Sequence, residues 1–501
     1  MKNKFKKCKT IFFASFAFFA LLGCSSDEST PDEPAPAAKT LTTDVSKIDF
    51  VAKGNAASVT VTTEAKAWSI TTDAAWIQLS KSSGTKGTSL LSVTALENTT
   101  TAVRTGTLTL SSSEATSVQI TVSQAAGTGA VTGLYPNYNT NPIAADATGM
   151  SSTAVQLAAK MKLGWNIGNT LEATGSETAW GNPKVTKALI DLVKANGFNA
   201  IRIPCSWNQY ANATTAQINA TWLARVKEVV QYCVDNDMYV IVNIHWDGGW
   251  LENNITADKK EAVNAKQKAF WEQIATQLRD FDEHLLFASA NEPAVEDAAQ
   301  MAVLTSYHQT FIDAVRSTGG KNAYRNLIVQ GPSTDIEKTN KLMTTLPTDK
   351  VANRMMAEVH FYPYQFTLMD KDADWGKMFY YWGAGNHSTT DTERNPTWGE
   401  EAFIDTVFGS MKTQFVDKGI PVILGEFGAI RRDLTGDALT LHLKSRADFY
   451  KYVVKSAKLN GMIPFYWDAG NLGVNTMSLF NRTNNTVYDQ QALTALQDGL
   501  K

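Results

Sequence analysis

Seven short apolar stretches in the second half of the chain run into residues able to move a proton, hydrogen-bond or stack. They lead to Trp165-Asn166-Ile167, to Arg202 and Trp207, and to His245-Trp246-Asp247, Asn291-Glu292-Pro293, His360-Phe361-Tyr362, Glu426-Phe427 and Trp467-Asp468. One polar strand end is usually structural, whereas seven in one phase indicate a shared site. If Glu292 and Glu426 face each other, they supply what cleavage of a glycosidic bond needs. A protonated carboxyl protonates the leaving oxygen; a charged one about 5–5.5 Å away attacks the anomeric carbon, or one further off activates water. Spacing along the chain does not measure that gap. Arg202 beside Glu426 would keep it ionised, which makes Glu426 the nucleophile and Glu292 the acid/base. Asn291 can bind a sugar 2-hydroxyl, Tyr362 can orient the nucleophile, and Trp467 can floor the reacting ring. This chemistry needs no metal or organic cofactor, and the chain has no CxxC, HExxH, GxGxxG, GxSxG or P-loop signature.

Residues that must converge from so many strand ends need a closed scaffold. From about 154 to 500 the texture alternates strand-like and helix-like segments, with strands expected at 161–167, 199–204, 239–244, 285–290, 326–330, 356–361, 421–425 and 461–466. A helix opened by Asn182-Pro183 and ended by Gly197 is expected after the first strand, and others near 221–236, 259–281, 299–318, 334–345, 399–418, 439–460 and 489–498. Eight such repeats predict an α/β fold, a (β/α)8 TIM barrel over 150–501, whose chemistry sits at the carboxyl ends of its strands. Glu172, Asp247, Glu358 and Asp468 are read as structural or supporting, and His284, His308 and His442 as surface or capping residues of helices. Trp246, Trp250, Trp375 and Trp382 are open between stacking platforms and loop core.

Before the barrel, residues 41–126 alternate Thr, Ser and Val at period two, as in Ala57-Ser58-Val59-Thr60-Val61-Thr62, which predicts a small all-β immunoglobulin-like sandwich. Residues 127–149 read as a linker, a hinge or a short strap. The chain opens with five lysines in nine residues and an apolar run from Ile11 to Leu22, too short to span a bilayer and suited to a signal peptide over 1–23. Leu21-Leu22-Gly23-Cys24 resembles a bacterial lipobox, with Cys24 as the lipidated residue, and 24–40 reads as a flexible tether. Asp27-Glu28 resembles the surface-export signal of some gram-negative lipoproteins, so the expected location is the outer membrane, exposed at the surface. Cys205 and Cys233 are then the remaining thiols and are expected to stay unpaired.

The 501 residues are 44% hydrophobic and 19% charged, with net charge −3, and without the five lysines of the leader the charge is −3 − 5 = −8. An acidic body without a basic stripe argues against nucleic acid and for a neutral ligand. A monomer on a tether is the expected state.

The motifs Asn199-Ala200-Ile201-Arg202-Ile203-Pro204, Asn243-Ile244-His245, Ala290-Asn291-Glu292-Pro293, Val359-His360-Phe361-Tyr362, Leu424-Gly425-Glu426-Phe427-Gly428 and Phe465-Tyr466-Trp467-Asp468 resemble glycoside hydrolase family 5 across essentially all of 154–500. The resemblance implies retention, with Glu292 as acid/base, Glu426 as nucleophile, and Arg202, His245, Asn291, His360, Tyr362 and Trp467 around the reacting ring. Many members carry a second His where this chain has Trp246, which puts the subsite contacts there in question. The opening Lys162-Leu163-Gly164-Trp165-Asn166-Ile167-Gly168-Asn169-Thr170-Leu171 and the turn Trp180-Gly181-Asn182-Pro183 look like the subfamily 4 branch. That likeness implies cleavage of β-1,4-glucans, xyloglucan first; Asn166, at the first strand end, and Trp246, which can enlarge a stacking surface, complete the substrate-binding candidates. Trp68-Ser69-Ile70, Trp76-Ile77, Arg104-Thr105-Gly106-Thr107 and Val122-Ser123-Gln124 resemble a BACON domain. Alternatives are a broader endoglucanase on mixed-linkage β-glucan, cellulose or glucomannan, or a non-catalytic glycan-binding protein on the same barrel.

Overall fold

The computed structural model describes residues 38–98, 100, 102–127 and 134–501. The expected signal peptide, the lipidated Cys24 and most of the tether lie outside the described residues. The chain divides into two compact units, 1–131 and 132–501.

In the first unit, seven strands form one mixed sheet. Lys47–Phe50 runs parallel to Ala115–Gln124, and the other pairings are antiparallel, centred on the long strand Ala56–Thr72. A register break between Thr63 and Ala67 interrupts the pairing of that strand with Ser83–Ala95. Its alternation places Val59, Val61, Trp68 and Ile70 in one core with Leu91, Val93, Leu108, Leu110, Ile120 and Val122. Trp68 is therefore core, packed over Gly84, where any side chain would collide with the indole. Trp76 is half-buried beneath the Arg104 guanidinium, 4.6 Å from its ring centroid.

The second unit is a closed barrel of eight parallel strands: β1 (Gly164–Ile167), β2 (Ala200–Ile203), β3 (Tyr239–Asn243), β4 (Leu285–Ala288), β5 (Leu327–Gln330), β6 (Met355–Phe361), β7 (Val422–Phe427) and β8 (Met462–Asp468). Pairing of Trp467 with Asn166 helps close the ring. Helices α1 (Lys187–Ala195), α2 (Ala220–Val234), α3 (Lys260–Leu278), α4 (Ala298–Ser317), α5 (Ile336–Leu342), α6 (Glu401–Gln414), α7 (Gly436–Leu459) and α8 (Gln490–Asp498) follow the strands in turn. α1 starts later than its sequence signal: Thr186 caps it, while Asn182 donates to the carbonyls of Asn169 and Ala469 and so ties the loops after β1 and β8. The expected linker is partly a strap on the barrel. Tyr138 donates its amide to Glu272 and its hydroxyl to Thr215 O, and Ile143–Ala145 pairs with Gly319–Gly320.

Each strand sends alternate residues inward. Ala200, Ile241, Leu286, Ile328, Met356, Ile423 and Ile463 form an apolar floor, and the next inward positions carry Asn166, Arg202, Asn243, Gln330, Glu358 and then His360. Strand β7 breaks this rhythm. Its register against β6 pairs Val359 with Leu424 and then His360 with Glu426, so Gly425 is an extra residue. The bulge changes the phase, and Glu426 joins the inner face that strict alternation would deny it. Only glycine fits there, because a Cβ would collide with Glu358 Oε1.

Candidate active site

Arg202, fully buried on β2, organises the mouth. Its Nη1 donates to Glu426 Oε1 at 2.8 Å and to Asn166 Oδ1 at 3.0 Å, Nη2 donates to Asn291 Oδ1 at 2.8 Å, and Nε lies 2.9 Å from Glu358 Oε1. A planar fork is needed to hold at once three groups from β1, β6 and β7 and one from the loop after β4. Burial works against its charge, and the carboxylates of Glu358 and Glu426 more than restore it.

His360 joins the two candidate carboxylates. Its Nδ1 is 2.7 Å from Glu292 Oε1 and 3.8 Å from Glu426 Oε1, and its Nε2 is 3.2 Å from Glu358 Oε1. Burial pulls its basicity down, but Glu426 and the bonds to Glu292 and Glu358 push it up to about 9, so the imidazole is cationic at neutral pH. Burial raises Glu292, and His360 and Arg202 reverse this, holding its carboxyl below the usual range. Burial raises Glu426, and there the opposing pull of His360 and Arg202 does not fully offset it. Charge pairing with Arg202 is thus present as the sequence suggested, but desolvation outweighs it. Tyr362 donates to Glu426 Oε2 at 3.1 Å, and burial with the neighbouring carboxylates keeps its phenol protonated.

One donor atom each from Glu292, His360 and Glu426 lies within 4.8 Å of the others. This is the one such trio among the described residues. Arg202 and the imidazolium already balance much of its negative charge, so it is built to hold and pass a proton. With one oxygen of each carboxylate within 4.8 Å of the other, the pair is close enough for direct displacement at an anomeric carbon held between them.

The other expected residues divide by depth. Asn166 is fully buried, with its amide donated to Gly425 O and its oxygen accepting from Arg202. It and Arg202 are thus fully buried and bonded to each other beneath the mouth. Asn291 sits just above them, holding Arg202. His245 stacks on Trp467 with centroids 5.8 Å apart and planes 13° apart, and burial with the charges of Arg202 and His360 keeps it neutral. Trp467 lies over Gly168, where a Cβ would come 2.7 Å from the indole. Trp246 is 44% exposed on the loop after β3 and Trp375 is 66% exposed beside Tyr364, whereas Trp382 is buried core. Trp250 packs on Phe270 and donates to Asp247.

The supporting carboxylates have structural partners. Glu172 accepts the amides of Asn169 and Thr170, Asp247 accepts the amide of Asn208, and Asp468 accepts Trp165 Nε1 and pairs with Arg482. Cys205 and Cys233 are buried and unpaired. The histidines correct the sequence reading. His308 is buried between Ser289 Oγ and Gln330 O, and His442 is buried between Tyr380 O and the Arg432 amide. His284 immediately precedes β4 rather than lying on a helix. Sequence reasoning also missed Glu252, a buried carboxylate after β3 that accepts the amide of Glu292 at 2.6 Å. Its loop position carries no periodic signal.

Residues 166–473 match the family described as Cellulase (glycosyl hydrolase family 5). The chain belongs to that family. It is a glycoside hydrolase, and residues 66–125 match the BACON family, described as a putative N-terminal binding domain. The chain is 38% identical to a xyloglucan-specific endo-β-1,4-glucanase of Bacteroides ovatus over 479 residues, 90% of each protein. An endoglucanase A of Paenibacillus barcinonensis is 36% identical over 396 residues, 74% of this chain and 95% of the relative. Among solved structures, a Bacteroides ovatus family 5 xyloglucanase in complex with an XXXG heptasaccharide superposes with TM-score 0.68 at 36% identity, over 92% of this chain and all of that one. A broad-specificity endoglucanase from Clostridium cellulovorans gives 0.60 at 32% identity, over 72% of this chain and 99% of that one.

Proposed function

We propose that this family 5 hydrolase cleaves the β-1,4-glucan backbone of xyloglucan internally, by double displacement. The observation that carries the mechanism is the close approach of Glu292 and Glu426 with a cationic His360 between them. Glu426, held by Arg202 and Tyr362, attacks the anomeric carbon, and Glu292 protonates the departing oxygen. Water then attacks the glycosyl-enzyme ester while Glu292 takes its proton. The side chain of Glu292 is 43% exposed, so an arriving sugar desolvates it and raises its proton affinity. The proton it needs is held 2.7 Å away on His360 Nδ1. Trp467 floors the reacting sugar, and Asn291 meets its 2-hydroxyl.

The substrate reading rests on the xyloglucan-specific relatives, and the broad-specificity endoglucanases favour the alternative of several unbranched or mixed-linkage glucans. Reducing-end release on xyloglucan, mixed-linkage β-glucan, carboxymethylcellulose and glucomannan separates the two. Strong preference for xyloglucan with oligosaccharide products is expected; comparable rates on all four would assign the broader activity. The lipobox-like Leu21-Leu22-Gly23-Cys24 further supports an enzyme anchored by lipid at Cys24 in the outer membrane and facing outward.

A further inference from the structure

Glu252 is a buried acid that neither the proposed displacement nor the sequence reading uses. It lies between β3 and the start of α3 at Lys260, in the loop that also carries the exposed Trp246. Two hydrogen bonds splice this loop to the one after β4. The Glu252 carboxylate accepts the Glu292 amide at 2.6 Å, and its carbonyl accepts the Ala294 amide at 3.1 Å. A hydrogen bond from a main-chain amide to a buried carboxylate is among the stronger kinds, so the stretch 292–294 is fixed from one side.

The charged groups that face Glu252 are Glu292 and, from the end of β7, Glu426. His360 reaches it through Glu292, and Arg202 holds the neighbouring Asn291. Burial pushes its carboxyl up to about 7, the Glu292 amide pulls it down, and the charge of Glu292 pushes it up again. Repulsion between two carboxylates is mutual: whichever ionises first raises the proton affinity of the other. Once an arriving sugar has raised the proton affinity of Glu292, Glu252 ionised above neutral pH therefore opposes the pull of His360 and delays the loss of the proton from Glu292.

We propose that Glu252 is a positioning residue for the acid/base, holding the Glu292 backbone through its amide and, by its negative charge, keeping Glu292 protonated in the substrate complex at the alkaline end of the working range. This rests on the reading of Glu292 as the acid. The side chain has two separable parts, an acceptor oxygen and a charge. Glu252→Gln keeps an acceptor and removes the charge, whereas Glu252→Asp keeps the charge and draws the acceptor back.

The test is kcat against pH, which reads the substrate complex, for the full chain, Glu252→Gln, Glu252→Asp and Glu292→Ala, on aryl β-cello-oligosaccharides with phenyl or 2,4-dinitrophenyl leaving groups. The phenolate of the first needs an acid and that of the second does not. Glu252→Gln is expected to lose about tenfold on the phenyl substrate and about twofold or less on the dinitrophenyl one, with its alkaline limb moved down by about half a unit or more. Glu252→Asp is expected to keep the alkaline limb. Equal losses on both substrates with an unmoved limb, or no loss on either, would overturn the proposal. If Glu292→Ala spares the phenyl substrate, the reading of the acid itself fails; if Glu292→Ala abolishes it and Glu252→Gln does nothing, only the role of Glu252 fails.

Discussion

Arg202, Glu358 and His360 form a buried charged layer in which every carboxylate has a cation or donor, and the layer makes stability depend on pH in a definite direction. The folded pKa of His360, about 9, exceeds its ordinary 6.5, so its contribution is complete below 6.5 and is lost as pH rises through 9. Glu172 and Glu252 are held up at about 7 by burial, and Asp247 at about 6, so each is easier to ionise unfolded than folded and costs stability as pH rises toward those values. Glu358 acts oppositely: its lowered pKa contributes stability that is lost on acidification below the usual carboxylate range. The melting temperature should therefore peak on the mildly acidic side and fall steadily from about pH 6 to 9. A calorimetric series in which it rises over that interval would contradict the charge states assigned to His360, Glu172 and Glu252. Glu292, Glu426 and His360 were legible because strand-end polar residues stand out from apolar strands. Glu252 was not, since a loop glutamate looks solvated until the fold buries it. His308 and His442 were misread because a helix pattern alone does not say which face meets the barrel.

At the scale of the element, the bulge in β7 decides whether there is a site at all. Eight strands could be placed from hydrophobic runs and turn signals, and all eight lie where expected to within a few residues. The expected seventh strand stopped at 425, however, and hid the phase change that turns Glu426 inward. Period-two patterning cannot show an inserted residue, because a glycine contributes neither an apolar nor a polar mark. Gly425→Ala should displace Glu358 or straighten the bulge, and Glu358 holds both Arg202 and His360. The expected cost is about 1–3 kcal/mol of stability, with a loss of kcat larger than that of substrate affinity. Unfolding midpoints and initial rates on a soluble glucan check both, and a variant of wild-type stability and rate would remove the bulge from the account. The start of α1 teaches a related lesson: Asn182-Pro183 is a good opening signal, but the loops after β1 and β8 claimed the asparagine side chain.

At the scale of the whole molecule, two units with separate cores share one chain, and the compositional change near residue 127 announced them. The boundary was less legible, because Tyr138 and Ile143–Ala145 look like linker in sequence and are bonded to the barrel in space. The proposed lipid anchor gives a prediction at this scale. Cys24→Ser should move the protein from the membrane fraction to the soluble fraction while leaving kcat on soluble glucan within about twofold, since one acyl-bearing residue supplies the anchor. Continued membrane association of the variant would refute an anchor at Cys24.

The account stands or falls on a covalent intermediate carried by Glu426. The most direct measurement is intact-mass and peptide mapping after incubation with a 2-deoxy-2-fluoro-β-cellobiosyl fluoride, which slows breakdown of a glycosyl-enzyme. One added disaccharide per chain is expected, located on the peptide containing Glu426, and no label in Glu426→Ala. A label on Glu292, or full turnover of glucan by Glu426→Ala, would contradict it.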